Sequence, residues 1–238
     1  MRLTPYATVR ENLSHILRNY DIEGQKNEIE KLSQLLGFEE YLDRTLKYLS
    51  GGEQQRISIA AALASNPSLL LMDEPFSQTD INLKSQLKDY LIDIVKELKV
   101  KILFVTHDPH EALSISDHII IIHDGKILEE GNSKKLYFEP KNKLTAELTG
   151  YCNWVPESLS ESTNAFKVEN KYLVRPDQIL ISEQETIDSI KATITKIEFS
   201  GLYNVLLVKI INTEIILKAI NISSIDFYIY QEVYLKFN

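Results

Sequence analysis

Apolar residues at helical spacing predict several helices in the first half of the chain. At the first of them, Thr8 stands three residues before Glu11, which is the spacing of a capping box. A longer amphipathic pattern ends at Gly37, and Ser50 stands in front of another as a candidate N-cap. The helices are predicted from Thr8 onward, from about Gln25 to Leu36, from Ser50 to Ala64, over residues 82–98 and from near Pro109.

Short apolar runs between these helices predict strands. They cover Leu69–Met72, Lys101–Thr106 and Ile119–His123, and Asp124-Gly125 predicts a hairpin turn into a return strand at Lys126–Glu130. Strands that alternate with helices are typical of α/β proteins. We therefore expect a largely parallel sheet with both faces covered.

After Gly150 the helical pattern gives way to short strands. Pro156 to Thr163 is rich in polar residues and predicts a connector between two domains, with Gly201 expected to turn the chain between two strands. We predict an α/β domain over residues 1–150 and a small all-β domain over residues 165–238. The predicted strands are Tyr172–Val174, Gln178–Ile181, Ile190–Phe199, Tyr203–Ile211, Glu214–Ile220 and Val233–Phe237.

Composition narrows the class of protein. The 238 residues are 44% hydrophobic and 25% charged, as in globular proteins, and the net charge of −8 argues against sequence-independent binding of nucleic acid. The single cysteine, Cys152, favours a reducing compartment over a fold built on disulfides. Neither a secretory signal nor an apolar run of about 18 residues occurs, so we expect a cytosolic chain.

The segment Leu49–Arg56 has the composition of an anion-binding helix start. Gly51 and Gly52 allow close approach of a backbone to a phosphate, and the helix N-terminus offers N–H groups and a positive dipole end. Ser50 adds a hydroxyl. The alternative is a capped helix that follows a glycine turn.

Two of the predicted strands are followed by residues that could act on such a phosphate. Asp73 and Glu74 follow a predicted strand, where a carboxylate can hold Mg²⁺ and a neighbouring one can deprotonate water. His107 follows the next strand. The alternatives are a strand that ends in polar residues at the surface and a structural histidine.

These features occur in one order, with 23 positions from Ser50 to Asp73 and 34 from Asp73 to His107. In this order they resemble the ATP-binding cassette (ABC) ATPases of transporters. Leu49–Arg56 is similar to the signature motif of that family, Leu69–Glu74 to Walker B with its catalytic glutamate, Ser77–Asp80 to the D-loop, and His107 to the switch histidine.

The resemblance extends over most of the chain. Residues 4–12 are similar to the stretch after the family's Q-loop, and residues 124–131 to its closing hairpin. Val174-Arg175-Pro176-Asp177 is similar to a short motif of the TOBE domains of importers. The resemblance therefore implies a P-loop NTPase cassette with a helical subdomain over about residues 9–49, followed by a small all-β domain of the OB or TOBE type.

The resemblance also implies a function: binding and hydrolysis of ATP with Mg²⁺, coupled to solute uptake. Its implied partners are a second ABC ATPase subunit and transmembrane permease subunits, at the inner face of the cell membrane. The residues implied to contact ATP held by the second subunit are Ser50, Gly51, Gly52 and Glu53. In the chain's own site, Asp73 would hold Mg²⁺ through water, Glu74 would act on the attacking water and His107 would contact the γ-phosphate. Asp80 would belong to the D-loop.

Three departures from the family pattern leave alternatives open. No Gly-x-x-x-x-Gly-Lys-Ser/Thr occurs, so we expect the P-loop to lie upstream of Met1 and the chain to be inactive alone. Thr79 replaces an apolar residue, and Glu53 replaces a more common glutamine. The chain could instead be a truncated, non-catalytic or regulatory partner of an intact cassette. An ABC-type ATPase of ribosomes or chromosomes is disfavoured, because duplicated cassettes, a basic linker and a long coiled coil are absent from these 238 residues.

Overall fold

The computed structural model describes residues 3–76, 81–222 and 226–238, apart from the side chains of residues 81–83. The chain divides into two compact units, Met1–Asp108 and Pro109–Asn238. This division comes well before the polar connector at which the sequence predicts a domain boundary. The two units are described in turn.

The first unit contains helices packed around a buried apolar core. That core includes Leu13, Leu32 and Leu36, which are 0% exposed, and Ile57 from a helix that is buried on several sides. The predicted helices are confirmed. They are α1 (Val9–Ile16), α2 (Ile22–Leu36), α3 (Gly51–Leu63) and α4 (Ile81–Leu98), with 3-10 turns at Glu39–Tyr41 and Leu46–Tyr48.

Local capping explains where these helices begin and end. The capping box predicted for Thr8 and Glu11 is confirmed. The predicted start of α2 at Gln25 was wrong, because the Asp21 side chain accepts the Gly24 N–H and starts the helix at Ile22. Gly37 ends the helix with φ +60°, a left-handed conformation that glycine adopts without steric cost.

Two parallel strands complete the first unit. They are β1 (Leu69–Asp73) and β2 (Lys101–Val105), and their parallel pairing agrees with the α/β pattern. The expectation of a larger parallel sheet was wrong for the described residues, where this sheet has two strands and the predicted strand Ile119–His123 pairs antiparallel with Lys126–Gly131 in a sheet of its own. The expectation that both faces would be covered was wrong for the described chain, where Leu71 and Val105 are 67% and 61% exposed. Alternate residues of a strand point to opposite faces, so one apolar face of this two-stranded sheet meets solvent.

The second unit begins with short helices and a hairpin. Asp124 and Gly125 turn the hairpin with φ values of +49° and +72°, as predicted from their sequence. The elements are α5 (Pro109–Ile115), β3 (Ile119–His123), β4 (Lys126–Gly131), α6 (Ser133–Phe138) and α7 (Lys143–Thr149).

The rest of the second unit is mainly antiparallel sheet, as predicted. The strands are β5 (Asn153–Val155), β6 (Phe166–Val168), β7 (Lys171–Val174), β8 (Ile179–Ser182), β9 (Ile190–Phe199), β10 (Asn204–Ile210), β11 (Ile216–Asn221) and β12 (Glu232–Phe237). One sheet has the order β11-β10-β9-β12-β8 and the other β5-β7-β6, and a single buried core includes residues of both. Gly201, at φ +83°, lies in the turn between β9 and β10.

The segment predicted as a polar connector is structured. It contains β5 and the short helix α8 (Glu157–Ser160), and Thr163 after the helix is only 1% exposed. The Asn153 side chain accepts the Lys218 N–H at 2.8 Å and donates to the Lys218 carbonyl at 2.8 Å, so this amide pairs with the edge of β11. The segment therefore packs as part of the second unit.

Arg175 is fully buried and joins α6 and α7 to the β-sheets. Its guanidinium is 0% exposed and stacks 4.3 Å from the centre of the Tyr137 ring. Burial lowers the pKa of this guanidinium, and burial together with the hydrogen bond to Asp177 raises that of the Tyr137 phenol. The oxygen acceptors of the guanidinium N–H groups are the carbonyls of Tyr137, Ala146, Gly150 and Tyr151 and the Thr149 hydroxyl, at 2.9–3.0 Å, and Sγ of Cys152 accepts at 3.3 Å.

Candidate functional site

The carboxyl ends of β1 and β2 bring Glu74 and His107 together. Because the strands are parallel, their carboxyl ends meet at one edge of the sheet, where α/β proteins bind ligands. Asp73 pairs with Val105 in register, and the Glu74 N–H then donates to the Val105 carbonyl at 2.9 Å. The residues that follow each strand are consequently neighbours.

Glu74 and His107 contact each other directly. One carboxylate oxygen, Oε1 of Glu74, accepts the His107 backbone N–H at 3.1 Å and lies 2.7 Å from Nδ1 of the imidazole. An ionised carboxylate only accepts hydrogen bonds, so in this pairing Nδ1 carries the proton. The side chains are 33% exposed at Glu74 and 81% exposed at His107, which leaves the imidazole open to a ligand.

The backbone at Glu74 adopts a left-handed conformation. Its φ is +47°, which is uncommon for a residue other than glycine and costs on the order of 1 kcal/mol or more. The next residues, Pro75 and Phe76, are buried, and the Phe76 ring meets Phe104 of β2 edge to face with centroids 6.1 Å apart. This packing holds the turn that presents the Glu74 carboxylate.

Two residues that the sequence did not single out lie beside this pair. Nζ of Lys84 on α4 contacts Oδ2 of Asp108 at 2.8 Å, and the two side chains are 28% and 29% exposed. The Asp108 N–H also donates to the Thr106 hydroxyl at 3.1 Å. The only signal in the sequence is that Asp108 directly follows His107; nothing local indicates Lys84.

Asp73 ends β1 with an exposed side chain, one residue before Glu74. Among the described residues, no group of three or more His, Cys, Asp or Glu side chains is arranged to hold a metal ion. Mg²⁺ bound with a nucleotide needs only one or two carboxylates, since water and phosphate oxygens supply the other ligands. Asp73 therefore fits Mg²⁺ that arrives with a nucleotide.

The second candidate group lies at the start of α3. The Ser50 hydroxyl accepts the Glu53 N–H at 3.4 Å, and the Glu53 carboxylate accepts the Ser50 N–H at 2.7 Å. This is the capped helix that the sequence offered as an alternative. Gly51 is exposed at the same helix start, so the geometry also leaves backbone open to an anion.

Glu53 keeps its charge at this helix start. Burial alone would raise the pKa of Glu53. Hydrogen bonds from the backbone and side chain of Ser50 and from Tyr41, together with the charge of Arg56, outweigh this effect, so the pKa lies below its ordinary value. The hydrogen bonds described for Ser50 and Glu53 remain within this helix start and Tyr41. Ser50–Glu53 therefore form a group held together by their own hydrogen bonds.

The predicted D-loop, Ser77–Asp80, lies outside the described residues. Asp80 and Thr79 therefore stay predictions.

An open groove of about 520 Å³ lies along α3. Its lining includes small side chains of α3, at Ser58, Ala61 and Ala62, and the residues Leu3, Pro5, Leu46 and Lys47. Nζ of Lys47 lies 4.9 Å from the centre of the Tyr6 ring and 4.5 Å from that of Tyr48. Both rings are more than three quarters exposed, so the groove is bordered by a cation between two solvent-facing aromatics.

Comparison with known proteins defines the class. A sequence model of the ABC transporter family matches residues 1–77. An Fe(3+) ions import ATP-binding protein of Pectobacterium atrosepticum is 30% identical to the chain. The alignment of 254 positions, gaps included, covers 99% of this chain and 72% of that protein. The chain therefore belongs to the family of ABC transporter ATP-binding proteins.

Further relatives have names of the same kind. An Fe(3+) ions import ATP-binding protein of Fusobacterium nucleatum is 34% identical over 83% of this chain, and a spermidine/putrescine import ATP-binding protein of Spiroplasma citri is 33% identical over 79% of it. The chain spans 58% and 54% of the lengths of these two relatives.

A solved structure agrees with this class. It is cbiO1 of Clostridium perfringens, part of the ABC transporter complex cbiONQ, which superposes with a TM-score of 0.54 at 26% identity over 57% of this chain and 54% of that one. The matched part of the chain thus has the fold of the ABC ATPase cassette. No helix in the described part of the chain is both long and apolar enough to cross a bilayer.

Proposed function

We propose that this chain is the ATP-binding and ATP-hydrolysing subunit of an ABC import transporter. The observation that carries the proposal is the contact of Glu74 with His107 at the edge of β1 and β2, one residue after Asp73. Relatives named as import ATP-binding proteins support the direction of transport.

The proposed chemistry divides among three side chains. Glu74 orients the attacking water and takes its proton, which a carboxylate held by a neighbouring N–H and imidazole can do in a fixed geometry. The exposed His107 ring contacts the terminal phosphate. Asp73 holds Mg²⁺ through water, and the metal, when bound with ATP, neutralises the charge that develops on the phosphates.

The start of α3 serves a second subunit in this proposal. Ser50, Gly51 and Gly52 offer a hydroxyl and backbone N–H groups to ATP held by the partner, and the D-loop with Asp80 lies at the same subunit contact. The exposure of Gly51 supports this role. The ionised Glu53 occupies the Ser50 N–H and keeps the helix start in shape, so the phosphate would meet the other N–H groups.

The groove along α3 is the proposed contact with a permease. The small and apolar side chains that line it suit a helix lying in it, and Lys47 between Tyr6 and Tyr48 suits an acidic residue beside that helix. Docking there would place the chain on the inner face of the membrane. The helical subdomain over about residues 9–49 would carry movement between the groove and the nucleotide.

The domain assignment is part of the proposal. We assign residues 1–150 to the ABC cassette and residues 165–238 to a TOBE-like domain, to whose strand β7 the preceding β5 adds. The antiparallel sheets and the Val174–Asp177 motif at the end of β7 support the second assignment.

A second candidate function is a non-catalytic partner that lends its signature motif to an intact cassette. The intact capping box at the start of α3, which is the part such a partner would supply, favours it. The two candidates differ in whether Glu74 contributes to turnover once a P-loop is supplied.

The test joins the chain behind the P-loop-containing N-terminal segment of the Fusobacterium relative. Steady-state ATP hydrolysis is then compared for the parent, Glu74→Gln and a control, Glu97→Gln, whose residue is exposed near the end of α4. We expect Glu74→Gln to lower turnover on the order of 100-fold while ATP binding survives, and Glu97→Gln to match the parent. Turnover of Glu74→Gln within threefold of the parent would favour the non-catalytic candidate.

A further inference from the structure

His107 depends on a short turn that has its own support. The turn follows β2 and contains Thr106, His107 and Asp108. On one side the Glu74 carboxylate contacts both the N–H and the ring of His107, at 3.1 and 2.7 Å. On the other side the Asp108 carboxylate is held at 2.8 Å by Lys84.

The ion pair of Lys84 with Asp108 is well placed to fix this turn. Both side chains are somewhat more than one quarter exposed, so the pair is shielded from solvent more than a typical surface pair. The Asp108 N–H donates to the Thr106 hydroxyl at 3.1 Å, which closes the turn locally. Since His107 lies between these two residues, movement of Asp108 would move the imidazole relative to Glu74.

We infer that Lys84 is a positioning residue for His107. This inference rests on the proposed function, because His107 matters to turnover only if the site hydrolyses ATP. Lys84 lies in the first turn of α4, 24 residues before Asp108, so the start of this helix helps to set the position of the imidazole. Loss of the ammonium would release Asp108 and let the His107 ring leave Glu74.

The first test needs no nucleotide. The chain has five histidines, and ¹⁵N-labelled full-length protein gives one set of imidazole signals for each, with His107 identified from a His107→Gln sample. We expect the parent to show a protonated Nδ1 at His107. Lys84→Met should move this signal toward that of a ring exchanging freely between its two neutral forms, and Lys84→Arg should restore it.

Two further variants make the result specific. Asp108→Asn removes the other half of the ion pair and should reproduce the Lys84→Met spectrum. Lys96→Met removes the same charge from an exposed position in the last turn of α4 and should leave the His107 signal unchanged. An unchanged His107 signal in Lys84→Met, or an equal change in Lys96→Met, would overturn the inference.

The second test measures ATP hydrolysis in the P-loop-extended chain. Lys84→Met should lower kcat about tenfold and leave KM for ATP within twofold, because a misplaced imidazole weakens the transition state and leaves the binding of ATP nearly intact. Lys84→Arg should recover most of kcat. A parent that fails to hydrolyse ATP refutes the proposed function, whereas an active parent with an unaffected Lys84→Met variant refutes this inference alone.

Discussion

Replacing Arg175 by methionine should destabilise the second unit strongly. Methionine fills much of the volume but donates no hydrogen bond, so the carbonyls of Tyr137, Gly150 and Tyr151 lose the donor that lies 2.9–3.0 Å away. The Ala146 carbonyl keeps the Thr149 hydroxyl as a donor at 3.2 Å. The Gly150 carbonyl keeps only the weak thiol donor of Cys152 at 3.5 Å. Three acceptors that lose their strong donor at about 1–1.5 kcal/mol each give a loss of about 3–4.5 kcal/mol.

The assay uses the single tryptophan, Trp154, which packs with a small buried cluster of the second unit. Its fluorescence followed through urea unfolding reports on this unit. At a slope of about 2 kcal/mol per molar urea, the expected loss lowers the midpoint by about 1.5–2 M. Arg175→Lys keeps a charge and up to three donors and should recover about half of the shift.

The matched control is Lys134→Met, which removes a positive charge from an exposed position on α6. It should change the midpoint by less than about 0.3 M, since isolated surface charges contribute little. If the urea midpoint of Arg175→Met lies within about 0.3 M of that of the parent, the carbonyls do not depend on the guanidinium and the reasoning fails.

Two further predictions concern the helices of the first unit. Gly37→Ala places a Cβ at φ +60° and against the hydroxyl of Tyr90; we expect a loss of about 1–2 kcal/mol by calorimetry, partly recovered in the double variant with Tyr90→Phe. If the double variant recovers no stability, the whole loss comes from the backbone conformation at residue 37 and the contact with Tyr90 contributes nothing. Glu53→Gln keeps the capping box but removes the charge at the helix N-terminus, and should cost about 0.3–1 kcal/mol at pH 7. Because the folded pKa of Glu53 is depressed, the carboxylate stabilises the fold above its unfolded pKa of about 4.3 and stops doing so as pH falls through the folded pKa. Melting curves of parent and variant should therefore converge near pH 3, and a constant gap between pH 3 and 7 would contradict this assignment.

Features that depend on neighbouring residues could be predicted from the sequence. The capping box at Thr8, the turn at Asp124-Gly125 and the turn at Gly201 all follow from a few adjacent side chains or from freedom of φ. The cap of α2 by Asp21 is equally local and was missed, because the helical pattern was taken to begin at Gln25.

Features that depend on packing could not be predicted in the same way. Strand order alone indicated that Glu74 and His107 would share a sheet edge, but their direct contact needed the structure. The pairing of Lys84 with Asp108 spans 24 residues and leaves no trace in the local pattern. The exposed face of β1 and β2 was missed because an apolar run shows that a strand could be buried without showing what covers it.

The pairing of Asn153 with β11 limits how the second unit can meet another protein. An edge strand usually offers its outward N–H and C=O groups as a template on which a foreign strand can continue the sheet. At Lys218, in the middle of β11, both groups are already taken by one side-chain amide. A foreign strand could therefore not continue the ladder of backbone hydrogen bonds past Lys218 unless it displaced this amide, which works against strand addition and fibril-like stacking at this point of β11.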